Sequence, residues 1–314
     1  MHTALLACYT MRCRHLVLLA TAMLAAPVTA QDQAPPVFSA DSELVVLQVT
    51  VTDRTGAFVE GLPAEAFSIV EDGQAQTLRL FADMDTPVTV GVLVDSSASM
   101  YSSRHLIIAG AAAFAAASHP RDEVFALAFN EDVTASLPAS APFTSDSVVL
   151  EAALERSVSA RGRTALYDAI SIGVDYLSRG TRERRVLVVL SDGGDNASHA
   201  TRTAAVRKAQ ASNAVIYTVA LIDPLSRDAN PGLLEELAQA SGGVSFRPHD
   251  PQGIAEALGQ VSRHIRHGYT LGYAPTNPAH DGAFRRIRVV VTAPPGRRFV
   301  VRNRSGYVAG SRTP

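Results

Sequence analysis

At 314 residues and 33.2 kDa the chain is long enough for about two folding units. Hydrophobic residues at 47% and charged residues at 18% exclude a disordered chain and provide for a sizeable core. The formal net charge is −2, and loss of the first 30 residues with Arg12 and Arg14 would leave 26 basic against 30 acidic groups, a balance that argues against nucleic acid as the main partner. Those first 30 residues read as a secretory signal peptide: two arginines, the apolar run from Leu16 to Ala26, then small residues at Val28-Thr29-Ala30, where a signal peptidase would cut. Translation could start at Met1 or at Met11, which opens the more typical leader. Both cysteines, Cys8 and Cys13, fall inside the leader, so the mature chain is expected to have no disulfide and no thiolate metal site. No later segment approaches the ~20 apolar residues a membrane-spanning helix needs. The product is therefore expected to be soluble and exported, in the periplasm or outside the cell.

After a polar linker at Gln31 to Pro36, the segment from Leu44 to Asp53 alternates Val45, Leu47, Val49 and Val51 with more polar neighbours, the period-2 signature of a half-buried strand. Phe67 to Val70 and Thr77 to Phe81 are expected to form a second and third strand around the Glu71-Asp72-Gly73 turn, where glycine supplies a positive φ. From Val88 the rhythm changes. Continuous apolar runs at Val88 to Val94, Val124 to Phe129, Val186 to Leu190 and Val215 to Leu221 predict strands covered on both faces. Helical patterns lie between and after them, at 104–118, 147–158, 165–177, 201–211, 231–240 and 253–267. Strands then return at Tyr269 to Tyr273, Phe284 to Thr292 and Phe299 to Arg302.

Alternating strands and helices predict an α/β fold, a doubly wound and mostly parallel sheet. Each β flank holds about three strands, too few to bury a useful core alone. The α/β unit, 86–267, is therefore expected to be inserted in a small β-sandwich formed by 37–85 and 268–310. In such a unit, ligands bind beyond the carboxyl ends of the strands where the strand order reverses.

The first buried strand ends in Asp95-Ser96-Ser97-Ala98-Ser99. In an extended loop, residues i, i+2 and i+4 point the same way, so Asp95, Ser97 and Ser99 would converge, and oxygen-only donors suit a hard cation such as Mg²⁺. Two more oxygens fall at element boundaries, Thr164 in Gly162-Arg163-Thr164 and Asp192 in Leu190-Ser191-Asp192-Gly193. The alternative for the serines is helix N-capping, with the hydroxyls bonded to free backbone N–H groups.

Taken together, Asp95, Ser97, Ser99, Thr164 and Asp192 resemble the five-part metal-ion-dependent adhesion site of the von Willebrand factor type A (VWA) domain. The resemblance to exported bacterial VWA-related proteins runs over nearly the whole mature chain, through 49–53, 61–62, 67–73, 95–100, 164–169, 190–196, 242–243, 269–273 and 301–307. It implies that Ser97 and Ser99 ligate a divalent cation directly and that Thr164 does so directly or through water. Asp95 and Asp192 would mainly hold bound waters. Mg²⁺ is the expected cation, with Mn²⁺ or Ca²⁺ as alternatives. Neutral hydroxyl donors leave the cation electrophilic, so the implied function is adhesion to a protein partner presenting an acidic side chain. The alternatives are a structural part of an envelope assembly with a stabilising metal, and a metal-dependent hydrolase. No Gly-x-Ser-x-Gly, His-Glu-x-x-His or phosphate-loop pattern supports an enzyme. Asp168 and Asp195 could support the site from behind, or serve as a helix first-turn acid and a turn former. His264 and His267, interleaved with Arg263 and Arg266, read as a solvated basic face rather than a ligand pair.

Overall fold

The computed structural model describes residues 44–83, 86–222, 228–250 and 253–310; the expected leader, its two cysteines and the linker lie outside them. In chain order the strands of the first flank are β1 (Val45–Thr52), β2 (Phe67–Glu71), β3 (Gln74–Gln76) and β4 (Leu78–Asp83). The central part contains β5 (Val88–Asp95), α1 (Arg104–Ala116), β6 (Glu123–Phe129), β7 (Val133–Ala135), α2 (Ser147–Ser157), α3 (Leu166–Leu177), β8 (Arg184–Ser191), α4 (Arg202–Ala211), β9 (Val215–Ala220), α5 (Pro231–Ser241), β10 (Ser245–Phe246) and α6 (Gly253–Arg266). The second flank supplies β11 (Tyr269–Tyr273), β12 (Phe284–Val291), β13 (Val300–Arg302) and β14 (Gly306–Val308).

The central sheet has the order β10-β9-β8-β5-β6-β7, parallel except for β7 at one edge. β5 is buried along its whole length because both faces are covered. Its side chains still alternate between two cores. Val88, Val90, Val92 and Val94 pack with Ile107, Phe114, Leu150, Leu258 and Ile265 from α1, α2 and α6. Leu93 joins Leu166, Ile170, Leu233 and Leu237 from α3 and α5 on the other side. Gly91 belongs to that second face, where a Cβ would run into the Phe125 ring and Leu187. The strand order reverses at β5, whose parallel neighbours are β6 and β8, so the end of β5 is the switch point of the sheet.

Strands from both flanks interleave in two antiparallel sheets, β13-β1-β11-β4 and β14-β12-β2-β3. The inward residues of β1, Val45, Leu47, Val49 and Val51, share one core with Phe67, Ile69, Leu271, Ile287 and Val289. An α/β unit thus interrupts a β-sandwich built from the two ends of the described chain. Tyr273 and Tyr307 donate their hydroxyls to Oε2 of the buried Glu71 at 2.5 and 3.1 Å, so the second flank satisfies a carboxylate of the first.

Two expectations are corrected. The partner of β2 across the Glu71–Gly73 turn is the short β3, whereas β4 crosses to the other sheet and pairs with β11. The turn places both Asp72 (φ 47°) and Gly73 (φ 87°) in the left-handed region, the two-residue reversal that suits a tight hairpin, and it closes before Thr77 is reached. His264 is also half-buried rather than part of a solvated face. Its ring packs against Phe58 at a centroid distance of 4.9 Å and lies 5.9 Å from both Tyr217 and Phe246, with Nδ1 buried and unbonded. Burial first, then the positive charges of Arg302 and Arg263, pull its pKa down to about 4. His267 stacks on Phe58 and pairs with Glu60, so the two histidines do not share a ligand. No helix among the described residues is long and apolar enough to cross a membrane.

Candidate functional site

Parallel pairing of β5 with β8 sets Val94 beside Leu190, which brings the next residues, Asp95 and Ser191, together at the carboxyl ends of the two strands. Both are fully buried, and the Ser191 hydroxyl donates to Asp95 Oδ2 at 2.6 Å. Oδ1 of Asp95 accepts the Ser97 N–H at 2.9 Å, a turn made by the aspartate side chain that reverses the chain directly after the strand. Ser97 itself is extended (φ −73°, ψ 170°), and a 3-10 helix, Ala98–Ser103, follows it, anchored by the buried Met100. The route to convergence therefore differs from the extended loop expected. A turn and a 3-10 start, rather than strand alternation, bring Ser97 Oγ to 3.1 Å from Ser99 Oγ.

The capping alternative is not what the hydroxyls do. Ser97 stands at the N-cap of the 3-10 helix and Ser103 at that of α1, and neither side chain bonds a helix N–H. The Ser97 hydroxyl faces the site instead.

Thr164 lies on the loop before α3 and is buried. That loop is fastened to the first one by Arg161 N–H to Ser96 O at 2.8 Å and by Ala98 N–H to Gly162 O at 3.1 Å. It is fastened to the third through Asn196, whose Oδ1 accepts the Thr164 N–H at 2.9 Å and whose own N–H donates to Thr164 O at 2.9 Å. Asp192, 3% exposed, follows β8. Its Oδ1 accepts the Gly194 N–H at 2.9 Å, and its carbonyl accepts the Asn230 N–H that begins α5. The three loops carrying all five residues are thus tied to one another by backbone bonds. Asp168 and Asp195 are committed elsewhere: Asp168 accepts the His199 and Ala200 N–H groups, and Asp195 accepts from Tyr167 N and Ser198 Oγ.

Burial pushes the Asp95 carboxyl up to about 6; hydrogen bonds from Ser191 and Ser97 oppose the rise, and the charge of Asp192 adds to it. Two carboxylates drawn close in a buried pocket are held at a cost that a divalent cation would remove. The donor set fits such an ion. Neighbouring oxygens around an octahedral Mg²⁺ with bonds of about 2.1 Å stand roughly 3 Å apart. The Ser97 and Ser99 hydroxyls are at 3.1 Å. Among the described residues no group of three or more His, Cys, Asp or Glu side chains could hold a metal, so hydroxyl oxygens have to complete any coordination here.

Two residues outside the predicted five shape the site. Ser191 orients Asp95, and its own Oγ accepts the Gly193 N–H at 3.0 Å; Asn196 fixes the backbone of Thr164. Ser191 could have been found by following the parallel register from Asp95. Asn196 has no local signal, because its partner is 32 residues away.

Residues 90–194 match the family model of the von Willebrand factor type A domain. That stretch, about a third of the chain, is similar to a VWA domain. The matched span contains Asp95, Ser97, Ser99, Thr164 and Asp192. Solved structures similar to this chain include a von Willebrand factor type A protein from Catenulispora acidiphila, at 14% identity and TM-score 0.46, covering 86% of this chain and 75% of that one. The vWF domain of the type V pili tip protein Mfa5 from Porphyromonas gingivalis is 13% identical with a TM-score of 0.48, covering 57% of this chain and 95% of that one. Proximal thread matrix protein 1 from the mussel byssus, described with a zinc-occupied MIDAS motif, is 11% identical with a TM-score of 0.47, covering 58% of this chain and 48% of that one. A comparison with curated proteins finds no match.

Proposed function

We propose that this VWA-domain protein is exported and uses a divalent cation, held by Asp95, Ser97, Ser99, Thr164 and Asp192, to grip an acidic side chain on a protein partner. The observation that carries this reading is the pairing at the switch point. Two buried carboxylates stand with two hydroxyls 3.1 Å apart that no helix end uses. Ser97 and Ser99 would ligate the cation, Thr164 would complete the set, and Asp95 and Asp192 would supply charge and hold waters. The cation would polarise an incoming carboxylate oxygen. Mg²⁺ suits the hard oxygen donors best. The reading is one of binding rather than catalysis: the Ser97 and Ser191 hydroxyls bond Ser99 and the Asp95 carboxylate, and no histidine base is bonded to either among the described residues.

The test is capture of a glutamate-bearing peptide on immobilised protein in Mg²⁺ and in chelator. Retention in Mg²⁺, release by chelator and loss in Asp192→Ala would support it. Equal retention with and without the metal would contradict it.

A further inference from the structure

Around the metal-site loops stand side chains that neither the fold nor the five donor positions use. Tyr101, two residues past Ser99, is 79% exposed, the most exposed large apolar or aromatic side chain among the described residues. It is not a loose end, because the 3-10 helix bearing it is anchored by the buried Met100. Arg161 and Arg163 are both exposed on the loop that carries Thr164. Among the described residues neither guanidinium has a hydrogen bond or ion pair, although Glu131 lies against Gly162 between them. Arg104, also near the first loop, is by contrast bonded to Val158 O at 2.7 Å and Glu155 O at 2.6 Å.

The placement is firm at the backbone. Arg161 N–H bonds Ser96 O at 2.8 Å, and Arg161 O accepts from Asn130 Nδ2 at 3.3 Å, so the arginine loop moves with the Asp95 loop. Exposed tyrosine and arginine on a rigid base are the residue types enriched at the centres of protein interfaces. A guanidinium selects a planar carboxylate with two parallel N–H···O bonds, which a point charge cannot do.

We propose that Arg161, Arg163 and Tyr101 form the reading rim of the metal site. Its partner is then a peptide segment with at least two carboxylates close in sequence, one for the cation and one for the arginine pair, beside an apolar side chain that covers Tyr101. This rests on the cation-binding reading above. The rim would supply selectivity that the cation alone lacks, since a metal ion accepts any carboxylate that reaches it. It would also supply the local attraction that a chain with a formal net charge of −2 does not provide at long range.

The experiment uses fluorescence anisotropy with three labelled Gly/Ser peptides, bearing one glutamate, two glutamates two residues apart, or the same two with an adjacent phenylalanine. Wild-type protein in Mg²⁺ should prefer two glutamates over one by about tenfold and gain again from phenylalanine. Arg161→Ala with Arg163→Ala should reduce the first preference to near unity, and Tyr101→Ala should remove the phenylalanine gain. Mg²⁺ calorimetry on the same proteins separates the two levels. Absent Mg²⁺ binding in the wild type would sink the cation reading and this proposal with it. Normal Mg²⁺ binding with no preference, with a preference that survives the arginine changes, or with no peptide bound at all would overturn the proposal alone.

Discussion

Asp95 is a buried carboxylate with two bonds to its own chain, from Ser97 N–H and Ser191 Oγ, and a like charge nearby in Asp192. Asparagine there keeps the shape but drops the charge: its Oδ1 can still accept the Ser97 N–H, while its Nδ2 would donate to Ser191 Oγ and so reverse that bond. Asp95→Asn should therefore melt at or above the wild-type temperature in chelator and should lose the stabilisation that Mg²⁺ gives the wild type; a melting temperature several degrees lower in chelator would argue that the carboxylate is structural. His264 gives a pH dependence of its own. Its folded pKa, about 4, lies below the ordinary 6.5, so the unfolded chain binds the extra proton. Its contribution is fully present above about 6.5 and is lost as pH falls from there toward about 4, a change of up to about 3 kcal/mol. His264→Phe should keep the contact with Phe58 and flatten that part of the stability profile, measured by urea unfolding. An unchanged slope would show that other groups set it.

At the scale of elements, the apolar runs at Val88 to Val94 and Val186 to Leu190 made the central strands legible, because strands covered on both faces have little room for polar residues. The helices were legible for a related reason. Leu166, Ala169, Ile170, Gly173 and Leu177 repeat with helical spacing on the buried face of α3. The short edge strands β3, β7, β10 and β14, of two or three residues each, were not, since so few residues set no period. The hairpin partner of β2 was misassigned for the same reason: three residues, Gln74–Gln76, complete the pairing before the stronger pattern of β4 begins. The position of the five candidate residues at element ends was legible from the sequence. The turn that aims Ser97, and the roles of Ser191 and Asn196, were not, because they depend on strand register and on contacts across the fold. Packing in β5 also makes one demand a sequence pattern hides. Gly91→Ala should destabilise by about 1–3 kcal/mol, because the methyl group would have to displace Phe125 and Leu187. An unchanged urea midpoint would show that the sheet yields there easily.

For the molecule as a whole, the two ends of the described chain fold together around an α/β insertion. β11 lies between β1 and β4, so the first flank has no complete sheet until the last 45 or so residues are present. Limited proteolysis should therefore release no stable fragment covering only 44–83, and removing everything after Arg266 should leave the first flank open to protease; a resistant fragment of that size would contradict the shared sandwich. The same arrangement leaves the switch-point end of the central sheet to the site loops. Under the proposed function, the low formal charge, −2, would make recognition of an acidic partner a local matter that depends on one cation. Titration calorimetry of Mg²⁺ into the metal-free protein tests that dependence most directly. One site per chain, absent in Asp95→Ala and in Asp192→Ala, is the predicted result; no binding in the wild type, or the same binding in both variants, would contradict the account.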